Sequence, residues 1–252
     1  MGPLNEAIDA VVEMSSPSVG LLGINFINFP ANAKFDAHLL KRLAKRSFGL
    51  NELGFGEMVC VNDAARAQLL TALQGAIKAN GGSLTRVDLI EFTPKPDEGL
   101  AFLNALANNA SRVEFLDLGG NKELFKAAEF TNAVCLLLSK QTTLKHLLLS
   151  GNDLSSKATK QLMATLKIAK ISATIETLVL GNGNWDEDLA CEALAHLLAT
   201  APALKTVYIL DQVGSKPIEV TVTAAAVDVK RKETDDDVCI VTRTNSQEIL
   251  VE

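Results

Sequence analysis

Leucine-like residues return in one register about every 30 residues along this 252-residue chain, and that recurrence restricts the possible folds most. The clearest copy is Leu144, Leu147, Leu149, Asn152 and Leu154, which spells L-x-x-L-x-L-x-x-N-x-L. A second copy is Val113, Leu116, Leu118 and Asn121, and a third is Ile175, Leu178 and Leu180. Weaker copies start at Leu84, Leu50, Val19 and Leu204. The first positions are therefore 19, 50, 84, 113, 144, 175 and 204, with steps of 31, 34, 29, 31, 31 and 29 residues. One supersecondary unit per fixed step makes a solenoid, which grows by stacking and works mainly through its surface.

Within each unit the L-x-L stretch reads as a strand, its leucines inward and the residues between them outward. Parallel neighbours require a crossover, and the sequence supplies helical periodicity where each one is due. The segments are Ala64 to Ala79, Gly99 to Asn108, Phe130 to Ser139, Lys157 to Ala169 and Leu189 to Ala199, with a more basic one at His38 to Phe48. Asp63 reads as the N-cap of the first of these, and Asn80, Gly81 and Gly82 as its end.

Repeats of this length with a full helix resemble the ribonuclease-inhibitor subfamily of leucine-rich repeats. The resemblance runs from about Val19 to Gly214 and is strongest in the fourth to sixth copies. It implies an α/β fold: a right-handed horseshoe solenoid with a parallel concave sheet and convex helices. The family's turn asparagine is present as Asn121 and Asn152; Ile27, Met58, Phe92, Gly183 and Gln212 stand there in the other copies. The domain reading is a capping helix over residues 1–18, about seven repeats over 19–214, and a cap or tail over 215–252. In the last part Ile218 to Val229 and Val238 to Thr242 alternate at period two, with the charged Lys230 to Asp237 between them, as in a β-hairpin.

The outward positions are the third, fifth and seventh of each unit. Counting from Val19, the third column is Leu21, Glu52, Arg86, Phe115, His146, Thr177 and Thr206. The fifth is Gly23, Gly54, Asp88, Asp117, Leu148, Val179 and Tyr208. The seventh is Asn25, Gly56, Ile90, Gly119, Ser150, Gly181 and Leu210. Apolar side chains are thus expected on the open face at Phe115, Leu148, Val179, Tyr208 and Leu210, beside His146 and the charged Arg86, Asp88 and Asp117. These nine residues are the candidate partner-binding set, because exposed apolar patches and aromatic anchors mark interfaces. Burial by the C-terminal hairpin or by self-association is the competing reading.

Other function classes find little support. A net charge of −6 and a pI near 5.2 disfavour nucleic acid, which needs a basic patch. The basic cluster Lys34, Lys41, Arg42, Lys45 and Arg46 reads as the solvated face of a helix. Cys60, Cys135, Cys191 and Cys239 have neither a C-x-x-C spacing nor a His at zinc-ligand distance in sequence, so free thiols and no metal are expected. Trp185 reads as turn packing, and the GNGN run from Gly181 to Asn184 as turn glycines rather than a phosphate loop. His146 and Asp117 sit diagonally on an open sheet with no water-excluding pocket, so no enzyme and no cofactor are expected. No signal peptide and no membrane-length apolar run are seen, and a cytoplasmic protein is expected.

The resemblance implies several uses: enzyme inhibition, actin capping, GTPase regulation and immune sensing. The leading expectation is a non-enzymatic module that binds a partner protein. The signal-free start and irregular repeats are also compatible with an effector delivered by an intracellular bacterium into the host cytoplasm. The alternative is a GTPase regulator resembling Ran GTPase-activating proteins, although the acidic tail is reduced to Asp235 to Asp237.

Overall fold

A computed structural model describes residues 49–56, 63–92, 95–168 and 170–180, six isolated positions (41, 197, 200, 201, 203 and 204) and the strands named below. For β1, β8 to β11, and all of β7 except Val207, the description covers backbone only. The expected helices at Leu4 to Met14, His38 to Phe48 and Leu189 to Ala199, together with Cys60, Cys191 and Trp185, lie wholly or almost wholly outside the described residues.

Strands and helices alternate. They run β1 (Gly23–Asn25), β2 (Glu52–Phe55), α1 (Asp63–Asn80), β3 (Arg86–Leu89), α2 (Pro96–Asn109) and β4 (Phe115–Asp117). Then come α3 (Lys122–Phe125), α4 (Ala128–Lys140), β5 (His146–Leu149), α5 (Ser156–Ile168), a 3₁₀ turn (Lys170–Ala173), β6 (Thr177–Leu180) and β7 (Thr206–Leu210). β1 to β7 pair in chain order, each parallel to the next. The architecture is therefore α/β with a parallel sheet and helical crossovers, compatible with a solenoid.

Three apolar columns make the core. Leu50, Leu84, Val113, Leu144, Ile175 and Leu204 form the first, and Leu53, Val87, Leu116, Leu147, Leu178 and Val207 the second; all are buried. Phe55, Leu89, Leu118, Leu149 and Leu180 form the third, also buried. The second and third columns stand in register between neighbouring strands, an arrangement of similar stacked layers compatible with a solenoid.

The helices begin where local chemistry allows. Pro96 pre-sets the backbone at the start of α2, and Glu98 reaches back to accept the Lys95 backbone N–H at 2.8 Å. The helix therefore starts three residues before the periodicity at Gly99 suggests. Ser155 Oγ accepts the Ala158 N–H at 3.2 Å and caps α5. At the other end of α1, Gly81 runs so close to α2 that a Cβ would overlap the Asn109 carbonyl. Gly82 faces open space.

Two polar ladders bind the layers. Asn152 Oδ1 accepts the Asn121 N–H at 2.6 Å, while its Nδ2 donates to the carbonyls of Leu118 and Leu149. Asn121 donates in turn to Leu89, Leu118 and Gly119. In the preceding repeat Phe92 takes the asparagine position and packs its buried ring 5.1 Å from that of Phe102. The residue before the asparagine position needs a left-handed backbone. Gly151 and Gly120 adopt it at φ 70° and 71°, and Glu91 adopts it at 51° in the repeat that lacks the glycine. The second ladder lies at the strand entrance, where Ser83, Thr143 and Thr174 donate hydroxyls to the Leu50, Val113 and Leu144 carbonyls of the repeat before.

The observed pairing corrects the first repeat. Gly23 stands opposite Glu52 and Asn25 opposite Gly54, so Gly23 belongs to the third column and Asn25 to the fifth. The count from Val19 was two residues early. A two-residue slip leaves every side chain on its face, whereas a one-residue slip would invert it, so the alternation could not reveal the error.

After β7 the chain reverses. β8 (Ile218–Val222) and β9 (Val227–Arg231) form their own antiparallel hairpin. β10 (Val238–Arg243) adds antiparallel to β7, and β11 (Ile249–Val251) antiparallel to β10. Two hairpins thus stand where the alternation suggested one. Lys230 and Arg231, read as turn residues, lie in β9.

Asn152→Ala leaves the Asn121 amide without its acceptor and takes a donor from the Leu149 carbonyl and one of two from the Leu118 carbonyl, and should cost about 2–3 kcal/mol by urea denaturation. Gly81→Ala should cost about 2 kcal/mol through its backbone overlap, while Gly82→Ala stays within about 0.5 kcal/mol of the parent.

Candidate partner-binding face

The inward leucines fix which side chains point out on the other face of the sheet. Across β2 to β6 the third position reads Glu52, Arg86, Phe115, His146 and Thr177, and the fifth reads Gly54, Asp88, Asp117, Leu148 and Val179. Each row thus crosses five strands in register.

Arg86 and Asp88 are two apart on one strand and share a face. Arg86 Nε donates to Asp88 Oδ2 at 2.7 Å, and Nη2 donates to Oδ1 at 3.0 Å. This two-pronged pair lays the guanidinium 3.7 Å from the centre of the Phe115 ring. On the far side of Phe115 the His146 ring lies 5.7 Å away at 44°. Arg86, Phe115 and His146 therefore form one stack across three strands.

Asp88 and Asp117 are the two buried charged residues among those described, at 2 % and 8 % exposure. Asp88 is matched by Arg86. Asp117 is not: its Oδ1 accepts the Gly119 N–H at 2.8 Å, and its Oδ2 has no hydrogen-bond partner among the described residues. Gly119 is needed for this arrangement, since a Cβ there would crowd Asp117 Oδ1 and Ser150 Oγ at 3.1 and 3.2 Å. Burial pushes the Asp117 carboxyl above the ordinary range; the neighbouring Asp88 charge adds to this, while the Gly119 bond and Arg86 oppose it.

Leu148, Val179 and Phe115 are half-buried rather than exposed. Strands about 4.8 Å apart hold their side chains shoulder to shoulder, and Phe115 has a ring or a guanidinium on each side. The large exposed apolar residues among those described are Leu136 and Ile168, both on helices. Tyr208 stands in register between Val179 and Ile240, and Leu210 opposite Val238, so the rows continue onto β10.

The structure thus joins Arg86, Asp88, Phe115 and His146 by direct contact, and sets Asp117, Leu148 and Val179 beside one another in register. Column counting brought these residues to one face but missed the stack and the burial of both carboxylates. The only sequence signal for the stack was a basic and an acidic residue at i and i+2 on a strand, next to an aromatic in the adjacent column. Among the described residues no three His, Cys, Asp or Glu side chains gather in a way that could hold a metal ion. No helix among them is long and apolar enough to cross a membrane. No family model matches the chain, and no curated protein matches it.

The raised Asp117 carboxyl means that ionising it works against folding. The stability it contributes is fully present below its unfolded pKa and is lost as pH rises through the higher folded value. Asp117→Asn keeps an acceptor for Gly119 without the charge. It should raise stability at neutral pH in denaturation curves, with a gain that shrinks to nothing in acid. Asp88→Asn should do the reverse at neutral pH and cost about 1–2 kcal/mol, because it weakens the pair that holds Arg86.

Proposed function

We propose that this chain is a leucine-rich-repeat protein of the ribonuclease-inhibitor-like type, a right-handed horseshoe whose concave sheet face binds a partner protein without catalysis. The carrying observation is the continuous row of half-buried side chains, with the Arg86–Phe115–His146 stack beside Leu148 and Val179. The stack is held in place before any partner arrives, so little side-chain entropy is lost on binding. Aromatic and Arg residues in such settings are common hot spots. Tyr208 extends the fifth row by register, and Leu210 stands two residues further along the same strand. The C-terminal strands serve as a cap, since β10 covers the edge of β7 that another chain could otherwise pair with.

Delivery into a host cell and a cytoplasmic site of action are part of this reading but rest on the resemblance alone. The test is capture from eukaryotic lysate with the parent, with a Phe115→Ala, Leu148→Asp double variant, and with a helix-face Leu136→Asp variant. Retention of the partner should fall about tenfold or more in the double variant and stay unchanged in the helix variant. Loss confined to Leu136→Asp would move binding to the helices and overturn the proposal. Addition of the captured partner to a GTPase assay then separates simple binding from regulation.

A further inference from the structure

The described residues contain one buried acid that no cation hydrogen-bonds. Asp117 is 8 % exposed, Gly119 satisfies one of its oxygens, and the other has no partner among the described residues yet is not sealed from the surface. The cation whose charge acts on it, Arg86, already gives two bonds to Asp88. A buried carboxylate is costly unless paired, so a site of this kind favours a ligand that brings the missing positive charge.

Two further features restrict that ligand. A metal ion would find too few donors, since Asp88 is committed to Arg86 and no metal-holding group of three forms among the described residues. The floor beside Asp117 is apolar, with Leu148 and Val179 as its next two neighbours in the row. They lie about 5 and 10 Å along the sheet, while alternate residues of an extended peptide are about 6.6 Å apart on one side.

We propose that Asp117 anchors a basic side chain, Lys or Arg, of the bound protein segment, and that an apolar residue two positions away in that segment seats on Leu148 and Val179. This rests on the reading that the open sheet face is the binding face, and it names the chemistry of what that face takes. The ammonium or guanidinium supplies donors to Asp117 Oδ2, and the apolar residue covers the half-buried leucine and valine. Net negative charge on this part of the face, from Glu52, Asp88 and Asp117 against Arg86, favours the same partner.

The probe is a displayed library of random peptides, selected in parallel against the parent, Asp117→Asn and Leu148→Asp, each first checked for native unfolding behaviour. The parent should enrich peptides carrying a basic residue with an apolar residue two positions away. Asp117→Asn, which keeps the Gly119 bond, should lose the basic preference and bind the enriched peptides about tenfold or more weakly. Leu148→Asp should lose the apolar preference. Peptides that lack a basic residue, or that bind Asp117→Asn as tightly as the parent while failing on Leu148→Asp, would overturn the anchor but keep the binding face. Peptides indifferent to both variants would overturn both. Failure of the parent to enrich any peptide would also overturn the anchor.

Discussion

The interaction on which the rest depends is a shared backbone carbonyl at the entrance of each strand from β3 to β6. Asn51 O accepts both the Thr85 and the Arg86 N–H; Thr85 O accepts Glu114 and Phe115; Glu114 O accepts Lys145 and His146; Lys145 O accepts Glu176 and Thr177. All eight bonds fall between 2.7 and 3.0 Å. One acceptor with two donors pins the second and third positions of neighbouring repeats together, and that fixes the register of everything after them. The leucine columns then meet on one face, and the open-face columns meet on the other. The Ser and Thr hydroxyls at the entrance reinforce this clamp, and the asparagines do the same at the strand exit.

Polar burial divides by purpose. Asn121, Asn152 and Gln141 are neutral and spend their donors on backbone carbonyls, which is what a stacked turn needs. Asp88 and Asp117 are charged, sit on the opposite face and bond little backbone: Asp88 holds a guanidinium, and Asp117 holds a single amide. Stacked repeats can place amides in their turns because each amide donor finds a carbonyl in the repeat before it. They have no such routine partner for a carboxylate. The two acids are therefore better explained by the open face than by the core.

Much of this was legible before any coordinates. The leucine spacing gave the strands, their order and their inward face because period-two alternation and a fixed step leave few alternatives. The open-face columns from β2 to β6 followed from it. Three things were not legible, each for a physical reason. The register of the first repeat slipped by two residues, which alternation cannot detect. Glu91 takes the left-handed backbone that its neighbours assign to glycine, because the stacked turn imposes it against the residue's own preference. The place of Asp117 depends on the absence of a side chain at Gly119, which a Cβ would crowd against Asp117 Oδ1 and against Ser150 Oγ of the next repeat, a relation across 31 residues that a column count treats as independent entries.

The end of the sheet shows how far the open face extends. A parallel stack continues only while each strand is followed by a crossover helix. From β7 onward the chain instead turns back, and β10 pairs antiparallel with Ile240 opposite Tyr208 and Thr242 opposite Thr206. Directly opposed residues in an antiparallel pair share a face, so the rows cross from the repeats into the C-terminal strands without changing sides. β10 thus does two things at once: it pairs with the edge of β7, and it lengthens the row of Leu148, Val179 and Tyr208 by one strand. A segment anchored at Asp117 and running toward β10 would cross about 20 Å of sheet from β4, the span of an extended peptide of about six residues. That length matches a short linear segment of a partner better than the broad surface of a folded domain, and on the proposed reading such a segment would also lie on the C-terminal strands.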